Sequence, residues 1–578
     1  MRPDARSVIC LAATLATVVF APCLSAQIAF TDVSAAAGVD GDFYRSDTGH
    51  SLGVNWIDFN LDGWPDLFLV GGGLDRPPVL FENRGDGTFS RANHLLPTLP
   101  GVEMSGSRFA DIDRDGDLDI FIYTDHPDWE WIPAQNPLDG PANLLLRNLW
   151  VESNGTAQPL FVEDAVGTGL QDLAEVPYGD LPGHRAKTAA FFDYDRDGCI
   201  DLFVGHMVLN HGGHEANRDR LFRNRCDGTF EDRTDALGLS DAGPGDATSL
   251  RGALASAAFH LDGDLWSELI VIHITYSQSS LYLEDFIFKN EGPAEVPFRE
   301  ILGAMAGVGD DAQAGMGVDT ADVDLDGDWD LYITDIYNTT LDAEPLGNVY
   351  YEADGTGGYS DNSAPSLGIE ADNSWGVNFF DADLDGFEDL YVATIAPNPR
   401  EFFFRNDGLE GGVHAGFTNI ADQIGYTTGN SRGSAVADYD RDGDLDFAVV
   451  NQNGPLQLFR NDSVTSGHWL ALELQGTVSS PDAIGTLVEA RTGSTVRRRQ
   501  VKGGSSAHSQ DSLTVHFGFG DAERVDELLV RWPSGRQTRL FDVELDRYLV
   551  IAEGPFFEDG FESGDVSAWS QAFGTLPH

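Results

Sequence analysis

Along most of the chain, short apolar runs follow tight polar turns. The stretch "DFNLDGWPDLFLV", residues 58 to 70, shows the unit: oxygen-bearing side chains at alternating positions, a glycine, then residues suited to a buried strand. The unit returns as "DIDRDGDLDIF" at Asp111, "DYDRDGCIDLF" at Asp193, "DVDLDGDWDLY" at Asp322, "DADLDGFEDLY" at Asp381 and "DYDRDGDLDFA" at Asp438. A degraded copy, "HLDGDLWSELI", begins at His260. An aromatic-led segment precedes each loop, from "FTDVSAAAGV" at Phe30 to "FTNIADQIGY" at Phe417. A further strand-like segment follows each, such as "VLFEN", "RLFRN" and "LQLFRN".

Apolar runs this short, punctuated by Gly, Asp and Asn and lacking a long helical period, predict several β-strands per unit. Seven such units suit a β-propeller better than a sandwich. The expected fold is therefore all-β, a seven-bladed β-propeller over residues 29–465. From His468 the repeat stops. Alternating apolar residues in "LALELQG", "LTVHFGFG" and "ELLVRWP" predict a small C-terminal β domain over residues 468–552.

Carboxylates crowded at alternating positions repel one another unless a cation sits between them. Oxygen-only ligands around a tight turn suit a hard cation such as Ca2+. Positions one, three, five and nine of each loop supply side-chain oxygens, and position seven a backbone carbonyl. The first loop offers Asp58, Asn60, Asp62 and Asp66; the second Asp111, Asp113, Asp115 and Asp119; the third Asp193, Asp195, Asp197 and Asp201. The fifth offers Asp322, Asp324, Asp326 and Asp330; the sixth Asp381, Asp383, Asp385 and Asp389; the seventh Asp438, Asp440, Asp442 and Asp446. In the fourth, His260 replaces the first acid and Leu265 the glycine, while Asp262, Asp264 and Glu268 remain, so this site is expected to be weak or empty. An EF-hand is excluded, because its twelfth-position Glu would fall on apolar residues such as Leu69 and Ile122.

The repeats resemble the FG-GAP, or VCBS, repeats of calcium-binding propellers, best known from integrin α-subunit heads. The C-terminal stretch resembles the ASPIC/UnbV domain found behind such propellers in the cartilage acidic protein family. Asp482, Ile484, Gly485, Ser509, Gln510, His516, Gly518, Gly520, Trp532, Pro533 and Gly535 carry that second resemblance. Together they imply calcium at about six sites, and they supply no settled reaction.

Composition narrows the partners. A formal charge of −59 excludes nucleic acid and anionic membranes, which demand basic surface. The N-terminus has a basic start, an apolar stretch from Val8 to Phe20 and a small residue at Ala26, which predicts a signal peptide over residues 1–26 and a secreted product with no transmembrane segment. A periplasmic or cell-surface location would fit a bacterial source. Cleavage would leave Cys199 and Cys226, an expected disulfide in an oxidising compartment. Residues 553–578, acidic and glycine-bearing, read as a flexible tail.

Three motifs have bland competitors. The tripeptide Arg84-Gly85-Asp86 reads as a repeat turn rather than an adhesion signal. His206, His211, His214 and Glu215 offer a loop-borne cluster without metal-site spacing, and Trp129 and Trp131 offer indoles for recognition or for packing. No nucleophile–base pair, phosphate loop or closed zinc signature stands out. The expected function is a monomeric, non-catalytic binding or adhesion module for an extracellular protein or glycan. The alternative is a propeller-scaffolded carbohydrate-active enzyme of lyase or dehydratase type.

Overall fold

The computed structural model describes residues 27–554, apart from segments 42–51, 72–75, 126–141, 172–185, 207–218, 240–250, 276–285, 302–314, 337–346, 354–358, 362–368, 370–372, 396–400 and 425–429 and the single positions 295 and 453. The expected signal segment, residues 555–578, Trp129, Trp131, His211, His214 and Glu215 lie outside the described residues.

Among the described residues, the acidic repeats build seven four-stranded antiparallel sheets. In the first, strands Leu52–Ile57, Asp66–Gly71, Val79–Asn83 and Phe89–Arg91 follow in chain order. The acidic loop joins the first strand to the second, and the "LFEN"-type segment forms the third. The second strands read as continuous apolar runs because both faces are buried between neighbouring sheets; Leu67 to Val70 all lie in the core.

The first strands meet their neighbours in ring order. Leu52–Ile57 touches Glu103–Ala110, then come Ala186–Phe192, Arg251–Phe259, Gly315–Ala321, Ser374–Phe380 and Ser431–Ala437, which returns to Leu52–Ile57. This is a β-propeller-like ring. Its closure differs from a simple reading of the repeats. Each aromatic-led segment is the outer strand of the sheet before it, and Phe30–Asp32 from the N-terminus pairs with Gln457–Asn461. The repeat boundaries in the sequence are thus offset by one strand from the sheets.

The C-terminal domain has a three-stranded sheet, in which Trp469–Gln475 pairs antiparallel with Val515–Gly518 and parallel with Arg547–Ala552, and a four-stranded sheet centred on Leu487–Thr492 and Arg524–Arg531. It is no separate appendage. Leu472, Ile484, Val488, Phe517 and Trp532 share one apolar cluster with Phe121, Phe191 and Leu202 of the ring.

Between its sheets the domain sends residues 502–512 into the axis of the ring. The Gly503 carbonyl accepts from Phe191 N, Ser506 N donates to Val318 O, and Ser512 N donates to Val436 O. Ser509 Oγ accepts from Val54 N at 3.2 Å, and Gln510 pairs with both backbone groups of Phe109 at 2.9 and 3.1 Å. Gly53 is glycine for want of space, because a Cβ there would strike the His508 carbonyl.

Residue 553 was expected to open the flexible tail, yet the buried Glu553 carboxylate accepts the N–H groups of Thr477, Val478 and Ser479 at 2.7–2.9 Å. Burying that carboxylate demands donors, and the 477–479 turn supplies three.

Candidate metal centres

All seven acidic loops share one backbone shape. The fourth and sixth positions have positive φ: Leu61 and Gly63, Arg114 and Gly116, Arg196 and Gly198, Leu325 and Gly327, Leu384 and Gly386, Arg441 and Gly443. The degraded fourth loop keeps the same turn, with its glycine moved to Gly263 (φ 74°) and Leu265 (φ 70°) in the strained place.

This turn draws the carboxylates together. In loops one, two, three, six and seven the position-one Asp accepts the N–H groups of positions five and six at 2.8–3.2 Å. Asp322 accepts that of Gly327 at 3.2 Å. The position-nine carboxylates of loops other than the fourth accept two N–H groups, one from position two and one from the end of the third strand, at 2.7–3.3 Å. Position nine therefore ties the loop to its sheet and keeps its remaining lone pairs free for a cation.

The donor set fits a hard divalent ion. Asp115 Oδ2, Asp195 Oδ1, Asp322 Oδ2, Asp383 Oδ1 and Asp440 Oδ1 are buried carboxylate oxygens without a hydrogen-bond partner. Unpaired oxygens of this kind are costly to bury. The carboxylates of Asp111, Asp113 and Asp115 lie within 4.8 Å of one another, as do those of Asp193, Asp195 and Asp197. Burial, with like-charged neighbours adding to it, raises Asp58 to about 6, Asp111 to about 8 and Asp193 and Asp438 to about 7. Calcium, when bound, would supply the missing positive charge at side chains one, three, five and nine.

The family model for the FG-GAP-like repeat matches residues 58–122, and that for ASPIC and UnbV matches residues 476–555. The chain carries an FG-GAP-like repeat and a C-terminal ASPIC/UnbV domain. No curated protein matches it. Among solved structures, the exotype rhamnogalacturonan lyase YesX aligns with 88% of this chain and 91% of its own, at 13% identity and a TM-score of 0.34.

Two features of the FG-GAP-like loops escaped the sequence reading. The first is a cation on the third strand. Arg147 Nη2 lies 2.5 Å from Asp113, and Arg223 bridges Asp195 and Asp197 at 2.7 and 2.6 Å. Lys289 bonds Asp262 in the fourth loop, while the first and fifth sheets have Glu82 and Glu352 at this place. The second, third and fourth loops thus each hold an internal cation. The second feature is the third-strand asparagine. Asn83, Asn148, Asn224, Asn290, Asn406 and Asn461 each donate through Nδ2 to the position-two carbonyl of the preceding loop: Tyr439, Phe59, Ile112, Tyr194, Val323 and Ala382, at 2.7–2.9 Å. One side chain per sheet stitches it to its neighbour. The fifth sheet carries Ala353 there and lacks the stitch. The spacing of "RN" after each loop was visible in the sequence, but not its partner in another repeat.

The ASPIC/UnbV residues dock on the loop face. His260 Nε2 pairs with Gly485 O at 2.7 Å, His516 Nε2 with Gly443 O at 2.9 Å, and Asp482 accepts from Asp111 N at 2.9 Å. Tyr548 donates to Asp438 Oδ2 at 2.7 Å, and Arg498 lies 3.6 Å from Asp322. His260 therefore stands where the other loops have Asp because it serves a domain contact.

Cys199 and Cys226 form a disulfide with Cα atoms 5.5 Å apart. In the first sheet Trp64 packs against Gly85 at the same two places, and in the fourth Trp266 against Gly292. The Arg84-Gly85-Asp86 turn is closed by its own Asp86, whose Oδ1 accepts from Thr88 N and Oγ1 at 3.1 and 2.6 Å. No helix among the described residues is long and apolar enough to cross a membrane.

Proposed function

We propose that this chain is a secreted, calcium-loaded, seven-bladed β-propeller, sealed along its axis by its ASPIC/UnbV domain, that serves as a non-catalytic binding or adhesion module for an extracellular protein or glycan. The orphaned, buried carboxylate oxygens that recur at the metal-facing positions of the loops carry this reading. Six loops each hold their carboxylates around one turn. Calcium then acts as a brace for the turns between first and second strands, holding the rest of each blade in place for recognition.

The loops are separable by experiment. Asp115→Ala and Asp440→Ala each remove one calcium counted by native mass spectrometry. Asp264→Ala leaves the count unchanged, because His260 replaces the first acid of its loop and its ring is spent on Gly485 O. Equal losses in all three variants would refute the assignment of ions to loops. Retention of ligand without product on a glycan array, with the calcium-loaded chain, separates binding from turnover.

A further inference from the structure

At the end of the axis away from the acidic loops, side chains from three sheets and from the inserted segment form a chain of contacts in which several polar atoms have bonds unmade. Trp375 and Arg432 are the second residues of the strands Ser374–Phe380 and Ser431–Ala437, and Tyr123 sits near the end of Asp119–Asp125. His508 comes from the inserted segment and lies between two aromatic rings, its centroid 6.2 Å from Tyr123 and 5.8 Å from Trp375. The Arg432 guanidinium lies over the Trp375 ring at 3.9 Å. All four residues are buried.

Their polar atoms are not satisfied. Arg432 Nη2 donates to Gln452 Oε1 at 2.6 Å, but Nε and Nη1 have no partner. Tyr123 Oη, Trp375 Nε1 and His508 Nδ1 are likewise buried without one. Among the described residues burial alone acts on the charge of Arg432, and it pushes that group down to about 9. No carboxylate of the described residues answers it there, although the chain as a whole carries a net charge of −59. Two further cations stand close enough to His508 to influence it, Lys187 and Arg108, and Arg108 spends its N–H groups on the carbonyls of Ala189, Ser107 and Ser505.

An uncompensated buried guanidinium beside several idle donors is a rare arrangement, and the usual reason is a bound anion or water. We propose that this end of the axis is an anion site that takes a small monoanionic carboxylate, held by Arg432 with Trp375 Nε1 and Tyr123 Oη as hydrogen-bond donors. A carboxylate fits the count of charges and donors: one unanswered guanidinium balances one negative charge, and its two oxygens can accept from the idle N–H and O–H groups. The site deepens the binding reading by naming the chemistry of a ligand, and none of its residues belongs to an acidic loop.

The test titrates the full chain, in calcium buffer at fixed ionic strength, with acetate and with glucuronate, using glucose, chloride and sulfate as the other arms. Acetate or glucuronate should bind with one-to-one stoichiometry by calorimetry and raise the melting temperature, while glucose does neither. Arg432→Gln should weaken that binding by at least about tenfold, the loss expected for a hydrogen bond to a charged group, with ligand-free melting unchanged or higher. Trp375→Phe keeps the Arg432 charge and removes the indole donor, so it should weaken binding while the calcium count is unchanged. That variant carries the test if Arg432→Gln does not fold. Wild-type protein that binds no anion, or Arg432→Gln that binds as tightly as wild type, would overturn the site. Binding of sulfate alone would overturn the carboxylate assignment. A flat titration alongside a normal calcium response sinks this site and leaves the calcium reading intact.

Discussion

The acids of the loops identify themselves in the sequence by spacing, but the residues that decide how the loops are used do not. His260 looks like the loss of a ligand, and its ring is in fact spent on the Gly485 carbonyl of the other domain. His516 makes the matching contact to Gly443. Burial holds both neutral, lowering each from 6.5 to about 4. A histidine whose folded pKa is depressed favours the folded state fully above its unfolded value. That contribution is lost as the unfolded chain takes up its proton below pH 6.5 and the folded one does not until about pH 4. His516→Gln removes this penalty. Against wild type in urea denaturation, the variant should therefore gain on the order of 3 kcal/mol between neutral pH and pH 4. A stability difference that stays constant across that range would show that His516 titrates normally in the fold.

At the level of the element, the strands were legible because each repeats a plain alternation of turn and apolar run. What was not legible is which strand belongs to which sheet. The segment led by Phe30 looks like the start of the first repeat, and pairs instead with Gln457–Asn461 of the last. Nothing local distinguishes the two, because the strand is only three residues long and its partner lies over 400 residues away. The same distance hid the asparagine stitches. Asn148 donates to Phe59 O in another repeat, 89 residues before it. Asn148→Ala leaves that buried carbonyl and the Asn148 pocket unfilled and should cost about 1–3 kcal/mol. The reverse change is available in the one sheet that lacks the stitch. Ala353→Asn, facing the position-two carbonyl of the fourth loop, should gain about 0.5–1.5 kcal/mol. Chemical denaturation of the two variants reads both signs. Stabilisation by Asn148→Ala would remove the stitch from the account.

The whole molecule departs furthest from expectation in its C-terminal domain. Sequence patterning marks residues 468 onward as a change of composition, which reads as a second, adjoining unit. Instead the stretch "VKGGSSAHSQDSLT" threads the axis, and the residues that carry the ASPIC/UnbV resemblance are largely the ones that dock it. Ser509 and Gln510 pair with the ring, Gly485 and His516 with the loops, and at Gly518 a side chain would run into Asp381 and Leu384. A motif whose function is contact with another part of the chain has no periodicity of its own to betray it. With one apolar cluster spanning both parts, ring and domain should unfold together. Calorimetry of the full chain is expected to give one transition, and two resolved transitions would contradict the shared core.

We propose that the acidic loops hold calcium as part of the folded state, and melting with and without the ion reads this out. Binding to the folded chain alone stabilises it by about 2.7 kcal/mol per site at a free concentration a hundred times Kd, and removal leaves buried carboxylates facing one another. After metal removal verified by elemental analysis, excess chelator should lower the melting temperature, and added calcium should restore it in proportion to the ions bound. An unchanged melting curve between the calcium-free and calcium-loaded protein would contradict the claim.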